Sequence, residues 1–167
     1  MADEPRILAL RDDLVTTLEG ISKANGYRND YRGVQIGAAA DWEIEADYAQ
    51  PILYLVWDGE VEQDPMYGGE ATKGSAPNRF RHFDRFLVTV SVRDTEDPER
   101  AAWRIWADIH SAVLGQSNRH RSSTRVNTFD IGRNWMAFYE GGRPIGGVLS
   151  VGIVIRWDHL TGDTTSQ

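Results

Sequence analysis

The stretch that decides the fold is Phe86-Leu87-Val88-Thr89-Val90-Ser91-Val92, in which every second residue is a large apolar one. Alternate side chains of a strand point to opposite faces, so period two predicts a strand with one buried face. We expect this strand to extend from Arg79 to Arg93. A second stretch, from Gly147 to Trp157, alternates in the same way and predicts the last strand of the chain.

Two amphipathic helices are predicted on either side of the first strand. In the first, Ile7, Leu10, Leu14, Leu18 and Ile21 recur at helical spacing, and we expect the helix to end near Gly20. The second begins at Asp97-Pro98-Glu99, a capping residue followed by proline in the first turn, and is expected to end at Gly115. One stripe of this helix comprises Ala102, Trp106, Ile109 and Val113, and a neighbouring stripe Trp103, His110 and Leu114.

Further strands complete the predicted sheet. They are expected at Tyr27 to Ile36, Asp41 to Tyr48, Ile52 to Trp57, Arg125 to Ile131 and Trp135 to Tyr139. The Ile52 to Trp57 run is apolar on both sides, which predicts a central strand covered on both faces. The polar stretch Glu60 to Asn78 is expected to be a long loop, and Glu140 to Pro144 a turn. We predict an α+β fold, a mostly antiparallel sheet with two main helices packed on it, in a single domain over residues 1 to 167 with a flexible tail at 158 to 167.

Composition excludes several classes of protein. The chain has 167 residues, no cysteine and a net charge of −7, which argues against a dedicated nucleic-acid binder. Residues 1 to 70 carry a net charge of −10 and residues 71 to 167 a net charge of +3. Either copies meet head to tail through complementary surfaces, or the asymmetry is accidental. The amino terminus has no signal-peptide pattern and the longest apolar run is short, so we expect a soluble protein with no membrane partner.

No motif for catalysis, a cofactor or a metal is complete. Gly147 to Gly152 has the wrong spacing for a hydrolase elbow, and Gly141 to Gly146 is followed by Gly147 and Val148, not by the lysine and hydroxyl residue of a phosphate-binding loop. Counted from Asp41 as a calcium loop, position six is Ala46 and position twelve is Ile52, so the turn and the closing carboxylate are missing. The four histidines have no metal-ligand spacing. We therefore expect no catalytic residue, no cofactor and no metal site.

Several residue groups are candidates for contacts. Trp and Arg are enriched at interface hot spots, and the start of the long strand interleaves arginine with aromatic residues. The candidate subunit or partner interface is Trp42, Trp103, Arg79, Arg81, Phe83 and Arg85. The acidic edge is Asp41, Glu43, Glu45 and Asp47. The weak phosphate-contact candidates are Arg119, Arg121 and Arg125.

The order of elements resembles that of the tail terminator, or tail completion, proteins of long-tailed bacteriophages and prophages. The resemblance covers Arg6 to Trp157, and no single motif in it is diagnostic. It is carried by the Ile7 to Ile21 helix, the Val34-Gln35-Ile36-Gly37 strand, the Pro51 to Trp57 strand, the Phe86 to Arg93 strand, the Asp97-Pro98-Glu99 helix and the Gly147 to Trp157 strand.

The resemblance implies a structural virion protein at the head-proximal end of the tail, present in the host cytoplasm during assembly. A hexameric ring would cap the tail tube, end its polymerisation and bind the head-tail connector or neck proteins. Genomic DNA would pass through the lumen without specific binding, and the acidic edge would line that lumen. The tube-contact loop would include Asp64, Met66, Tyr67 and Lys73.

Two other functions remain open from the sequence. The chain could be another neck, head-completion or tail tube subunit, since these proteins also act by assembling with copies of themselves and with other virion proteins. It could also be a small-ligand-binding or enzymatic α+β domain that uses its tryptophans to line a pocket.

Overall fold

A computed structural model describes residues 6–37, 51–66, 79–93, 96–117 and 127–160. Its elements in chain order are α1 (Arg6–Glu19), a 3-10 turn (Lys23–Asn25), β1 (Gly33–Ile36), β2 (Ile52–Met66), β3 (Arg79–Val92), α2 (Pro98–Ser117), β4 (Asn127–Glu140) and β5 (Arg143–Leu160). The predicted Asp41 to Tyr48 strand lies outside the described residues.

The five strands form one mixed sheet in the order β1-β2-β3-β5-β4. β1 runs parallel to β2, and every other neighbouring pair is antiparallel. β3 lies at the centre and pairs with β5 along its whole length, from Arg79 opposite Leu160 to Val92 opposite Gly147. Together with the two helices this confirms the predicted α+β class in a single compact domain.

Both helices contribute to one hydrophobic core on a single face of the sheet. The sheet supplies alternate residues of β3 and β5, with Val88 opposite Val151 and Phe86 opposite Ile153. The helices supply residues at helical spacing. These are Leu10, Leu14 and Leu18 from α1, and Ala102, Ile105, Ile109, Ala112 and Val113 from α2. The alternation in β3 and β5 therefore predicted the buried face correctly.

Local signals explain where α2 and the last hairpin begin. The carboxylate of Asp97 accepts a hydrogen bond from the backbone N–H of Arg100 at 2.9 Å, which caps the helix at its predicted start. Gly141 and Gly142 have φ angles of 55° and 78°, the conformation of a two-residue hairpin turn, within the predicted Glu140 to Pro144 turn.

Several predicted boundaries were wrong. The expected strand from Tyr27 is limited to Gly33–Ile36, because the backbone at residues 28 and 29 bonds to a side chain of α2. The two strands expected between residues 125 and 139 are one strand, β4, which pairs with β5 through Gly132 and Asn134.

The loop expected at Glu60 to Asn78 begins later than predicted, because residues up to Met66 pair with β3. Likewise, β5 continues to Leu160 and takes in the first three residues of the predicted tail. The predicted double cover of Ile52 to Trp57 was also wrong. Only Leu53 and Leu55 are buried there, because the core covers one face of the sheet, and Trp57 is 52% exposed.

Candidate functional site

Three strands extend over a greater length than the helices that pack on the sheet. At about 3.3 Å per residue, the 14 residues of β3 span about 46 Å, whereas the 20 residues of α2 span about 30 Å. We call the extension the arm and define it as residues 58–66 of β2, 79–85 of β3 and 154–160 of β5. The arm is held by backbone pairing on both sides of β3. At the base of the arm one face is buried, because Ile155 and Trp157 belong to the hydrophobic core.

A buried carboxylate joins the three strands at the base of the arm. Asp84 of β3 is 4% exposed. It lies two residues before Phe86 and therefore on the same, buried face of the strand. The indole N–H of Trp157 donates to one carboxylate oxygen at 2.6 Å, and that of Trp57 donates to the other at 2.9 Å. Each tryptophan belongs to a neighbouring strand, so Asp84 connects β2, β3 and β5 through side chains. We call this group the indole clamp.

The next residue on the same face of β3 extends the clamp. The imidazole of His82 stacks on the Trp157 indole with ring centroids 4.3 Å apart and an interplanar angle of 14°. Its Nδ1 lies 2.5 Å from a carboxylate oxygen of Glu60 on β2. These contacts fix the side chains of Trp57, His82, Asp84 and Trp157 relative to one another, so the base of the arm is preorganised.

The opposite face of β3 carries the arginines that were predicted to meet a partner. Arg85 Nε donates to Asp58 of β2 at 2.6 Å. Farther along the arm, Arg81 is the register partner of Asp64. Arg85 of this basic row is therefore neutralised within the chain, by Asp58 of β2. The interface role of Arg79, Arg81, Phe83 and Arg85 stays a prediction.

A second aromatic group lies between α2 and β4. Trp103, a predicted interface residue, is half-buried, and its indole N–H donates to Glu99 at 3.2 Å. The guanidinium carbon of Arg133 on β4 lies 4.6 Å from the Trp103 ring centroid and 4.1 Å from that of Trp106. These distances are those of cation–π contacts, which fasten the edge strand to the helix layer.

A second buried carboxylate anchors the segment between α1 and β1. Asp108 of α2 is 1% exposed and accepts hydrogen bonds from the backbone N–H groups of Arg28 and Asn29 at 3.0 to 3.1 Å. It also accepts one from the side-chain amide of Asn29 at 2.7 Å. Burial, together with the nearby charge of Asp108, raises the pKa of Tyr31 far above its ordinary value. This group ties the segment before β1 to α2.

Exposed apolar side chains concentrate at the two sides of the sheet. Among the described residues, six large apolar side chains are exposed. On one side lie Ile36 of β1 and Trp57 and Val61 of β2, and on the other lie Met136 and Tyr139 of β4. Only Leu114 of α2 lies elsewhere. We call residues 57–66 the β2 margin and residues 132–143 the β4 margin.

Several predicted contact residues lie outside the described residues. They are Trp42, the acidic edge at Asp41, Glu43, Glu45 and Asp47, the loop residues Tyr67 and Lys73, and Arg119, Arg121 and Arg125. Asp64 and Met66, assigned to a tube-contact loop, lie in β2 instead. Trp103 and Arg79 to Arg85 are on different elements, α2 and β3.

Sequence analysis missed the residues that organise the site. Asp84 and Asp108 carried a signal, because Asp108 lies between Ile105 and Ala112 on the buried face of α2, and Asp84 is the position next to Phe86 on the buried face of β3. A single acid at such a position requires hydrogen-bond donors nearby. Met136 and Tyr139 carried none, because only the strand order shows that β4 is an edge strand.

No protein-family model matches the chain, and no curated protein is significantly similar to it. Within the described ranges there is no helix long and apolar enough to cross a membrane. The same residues contain no group of three or more His, Asp or Glu side chains placed to hold a metal ion.

Proposed function

We propose that this protein is a structural virion subunit that assembles into a closed ring capping the phage tail tube. The ring ends polymerisation of the tube and forms the surface to which head and neck proteins attach. The protein acts through assembly, with no catalytic step, and its partners are other copies of itself, the tail tube protein and the neck proteins. Six copies per ring is the number that the resemblance to tail terminator proteins implies.

The observation that carries this proposal is the arm. Its strands are longer than the helices that cover the sheet, and the indole clamp holds the side chains at its base in one arrangement. Fixing an exposed surface in advance lowers the entropic cost of binding, which favours contact with a large partner. The two indole hydrogen bonds to a buried carboxylate would keep the arm in one conformation while a partner binds to it.

The order of elements gives further support. Each element named in the resemblance has a counterpart at the expected place, namely α1, β1, β2, β3, α2 and β5. Order alone is shared by unrelated α+β domains, so this agreement supports the proposal without identifying the family.

The first test is multi-angle light scattering and negative-stain imaging of the purified protein over a wide concentration range. Closed rings of uniform diameter are expected. Open cylinders of variable length would refute the terminator function and favour a tube subunit. A strict monomer or dimer whose melting temperature rises with a small ligand would favour a binding or enzymatic domain.

The second test addresses capping directly. Deleting the gene from its phage or prophage should give tails of uncontrolled length that carry no head, and supplying the protein in trans should restore normal particles. Tails of normal length in the deletion strain would refute the proposal.

A further inference from the structure

We propose that the β2 margin of one copy binds the β4 margin of the next copy, and that this contact closes the ring. The inference rests on the proposed function and names the surface through which copies meet. It is carried by the position, the exposed apolar residues and the charge of the two margins.

The positions of the margins fit a head-to-tail contact. β2 and β4 lie toward opposite sides of the sheet, with β3 and β5 between them. Among the described residues, β4 pairs only with β5, and β2 beyond Leu55 pairs only with β3. A contact between two different surfaces of identical chains leaves one of each surface free, so it propagates until the assembly closes. Pairing at a single surface would stop at a dimer.

Exposed apolar side chains mark both margins. Val61 is 57% exposed and Trp57 52% exposed on β2, while Met136 is 55% and Tyr139 68% exposed on β4. Edge strands are commonly protected by charged residues, proline, β-bulges or very short length. β4 carries Arg133 and a bulge between Phe138 and Tyr139, but it is long and exposes Met136 and Tyr139, so contact with another copy would remove apolar surface from water.

The charges of the margins are opposite in sign. By sequence, the β2 margin contains four acids, Asp58, Glu60, Glu62 and Asp64, and no basic residue. The β4 margin contains Arg133 and Arg143 against the single acid Glu140. Asp58 and Glu60 already have partners within the chain in Arg85 and His82, so the sequence charges favour contact between a β2 margin and a β4 margin over contact between two β2 margins without deciding it alone.

The Trp57 side chain ties this contact to the arm. Its indole N–H is held by the buried carboxylate of Asp84 while half of its surface is exposed. A large side chain whose rotamer is already fixed loses little entropy on binding, and tryptophan is a frequent hot-spot residue. The indole clamp thus presents Trp57 to the neighbouring copy.

The test uses one substitution at each margin and a matched control. Val61→Asp alters the β2 margin and Met136→Asp the β4 margin, and both side chains are more than half exposed. Leu114→Asp makes the same change at an exposed apolar residue of α2, outside both margins. Val61→Lys and Tyr139→Asp replace either margin variant that fails to give the wild-type circular dichroism spectrum.

Each margin variant alone should lose the ring, with an apparent dissociation constant at least about tenfold higher, while Leu114→Asp should assemble as the wild type does. An equimolar mixture of the two margin variants retains one intact contact. Native mass spectrometry should therefore find a dimer with one copy of each variant and nothing larger.

Other outcomes separate this inference from the proposed function. If both margin variants form rings of the same size as the wild type, the inference is overturned and the proposed capping function still stands. Rings lost in only one variant, with no dimer in the mixture, would also overturn it. Open filaments that both substitutions abolish would support the contact and refute the closed ring. A wild-type monomer at every concentration would refute both.

Discussion

Replacing the buried carboxylate of the indole clamp, Asp84→Asn, should destabilise the protein by about 2 kcal/mol. The amide keeps one acceptor oxygen, so only one indole can still donate to it. Trp157 is 4% exposed, whereas Trp57 is 52% exposed and lies closer to water. The oxygen should therefore stay with Trp157, and the amide NH₂ should face the Trp57 N–H. The loss of stability has two causes. The hydrogen bond from Trp157 to a neutral amide oxygen is weaker than that to a carboxylate, and the amide NH₂ and the Trp57 N–H are two donors that face each other.

For a chain of this length, that loss corresponds to a fall of about 4 to 8 °C in melting temperature. Urea unfolding followed by circular dichroism measures the free energy, and amide hydrogen exchange at residues 80–85 shows whether the arm opens before the rest of the protein. Trp57→Phe, which removes only the more exposed donor, should cost less than about 1 kcal/mol in the wild-type background.

The combination of the two substitutions gives the sharpest test. In the Asp84→Asn background, Trp57→Phe removes one of the opposed donors, so the second substitution should cost nothing or restore some stability. An Asp84→Asn protein within about 0.5 kcal/mol of the wild type, or strictly additive effects in the double variant, would refute the account of the clamp.

Three further predictions concern the fold. Asp108→Asn should lower the free energy of unfolding by about 2 to 4 kcal/mol in urea unfolding, because a neutral amide with one acceptor oxygen replaces a buried carboxylate that accepts from Arg28 and Asn29 with both oxygens; an unchanged value would contradict the anchoring role. Folding raises the pKa of Tyr31, so its contribution to the free energy of unfolding is complete below pH 10, where tyrosine is neutral in both states, and is lost as the pH rises toward the folded-state pKa. In urea unfolding between pH 9 and 11, the free energy of unfolding should decline less steeply with pH for Tyr31→Phe than for the wild type. Parallel declines would refute this. Gly147→Ala should lower the melting temperature by several degrees, because its Cβ would lie 2.5 Å from the Trp135 ring; a calorimetric scan equal to that of Gly152→Ala, which meets only the flexible end of Arg85, would contradict it.

The clamp and the margin contact make different demands on the same tryptophan. If Trp57 only stabilised the arm, its substitution by Phe would change unfolding and leave assembly intact. If it also contacts a neighbouring copy, Trp57→Ala should weaken assembly by more than Trp57→Phe, because the phenyl ring retains most of the buried apolar surface. Comparing the two variants by light scattering separates these roles.

How much was predictable from the sequence depended on the range of the interactions involved. The helices and the alternating strands were predicted, because amphipathic periodicity and caps such as Asp97 act over a few residues. The α+β class followed from their order. The continuation of β2 to Met66 was missed, because a polar, proline-containing segment becomes a strand only when it finds a partner such as β3.

The sequence by itself determined most of the core of this protein, since period two in β3 and β5 and helical spacing in α1 select one apolar face each; in α2 the predicted stripes omitted Ile105 and Ala112, which are buried. Only the tertiary structure decided that Asp84 meets two indoles from other strands, that Asp108 holds residues 28 and 29, and that Met136 and Tyr139 stand at an edge. The physical reason is sequence separation. Trp57 and Trp157 are 100 positions apart and reach one carboxylate only because strand order places β3 between their strands.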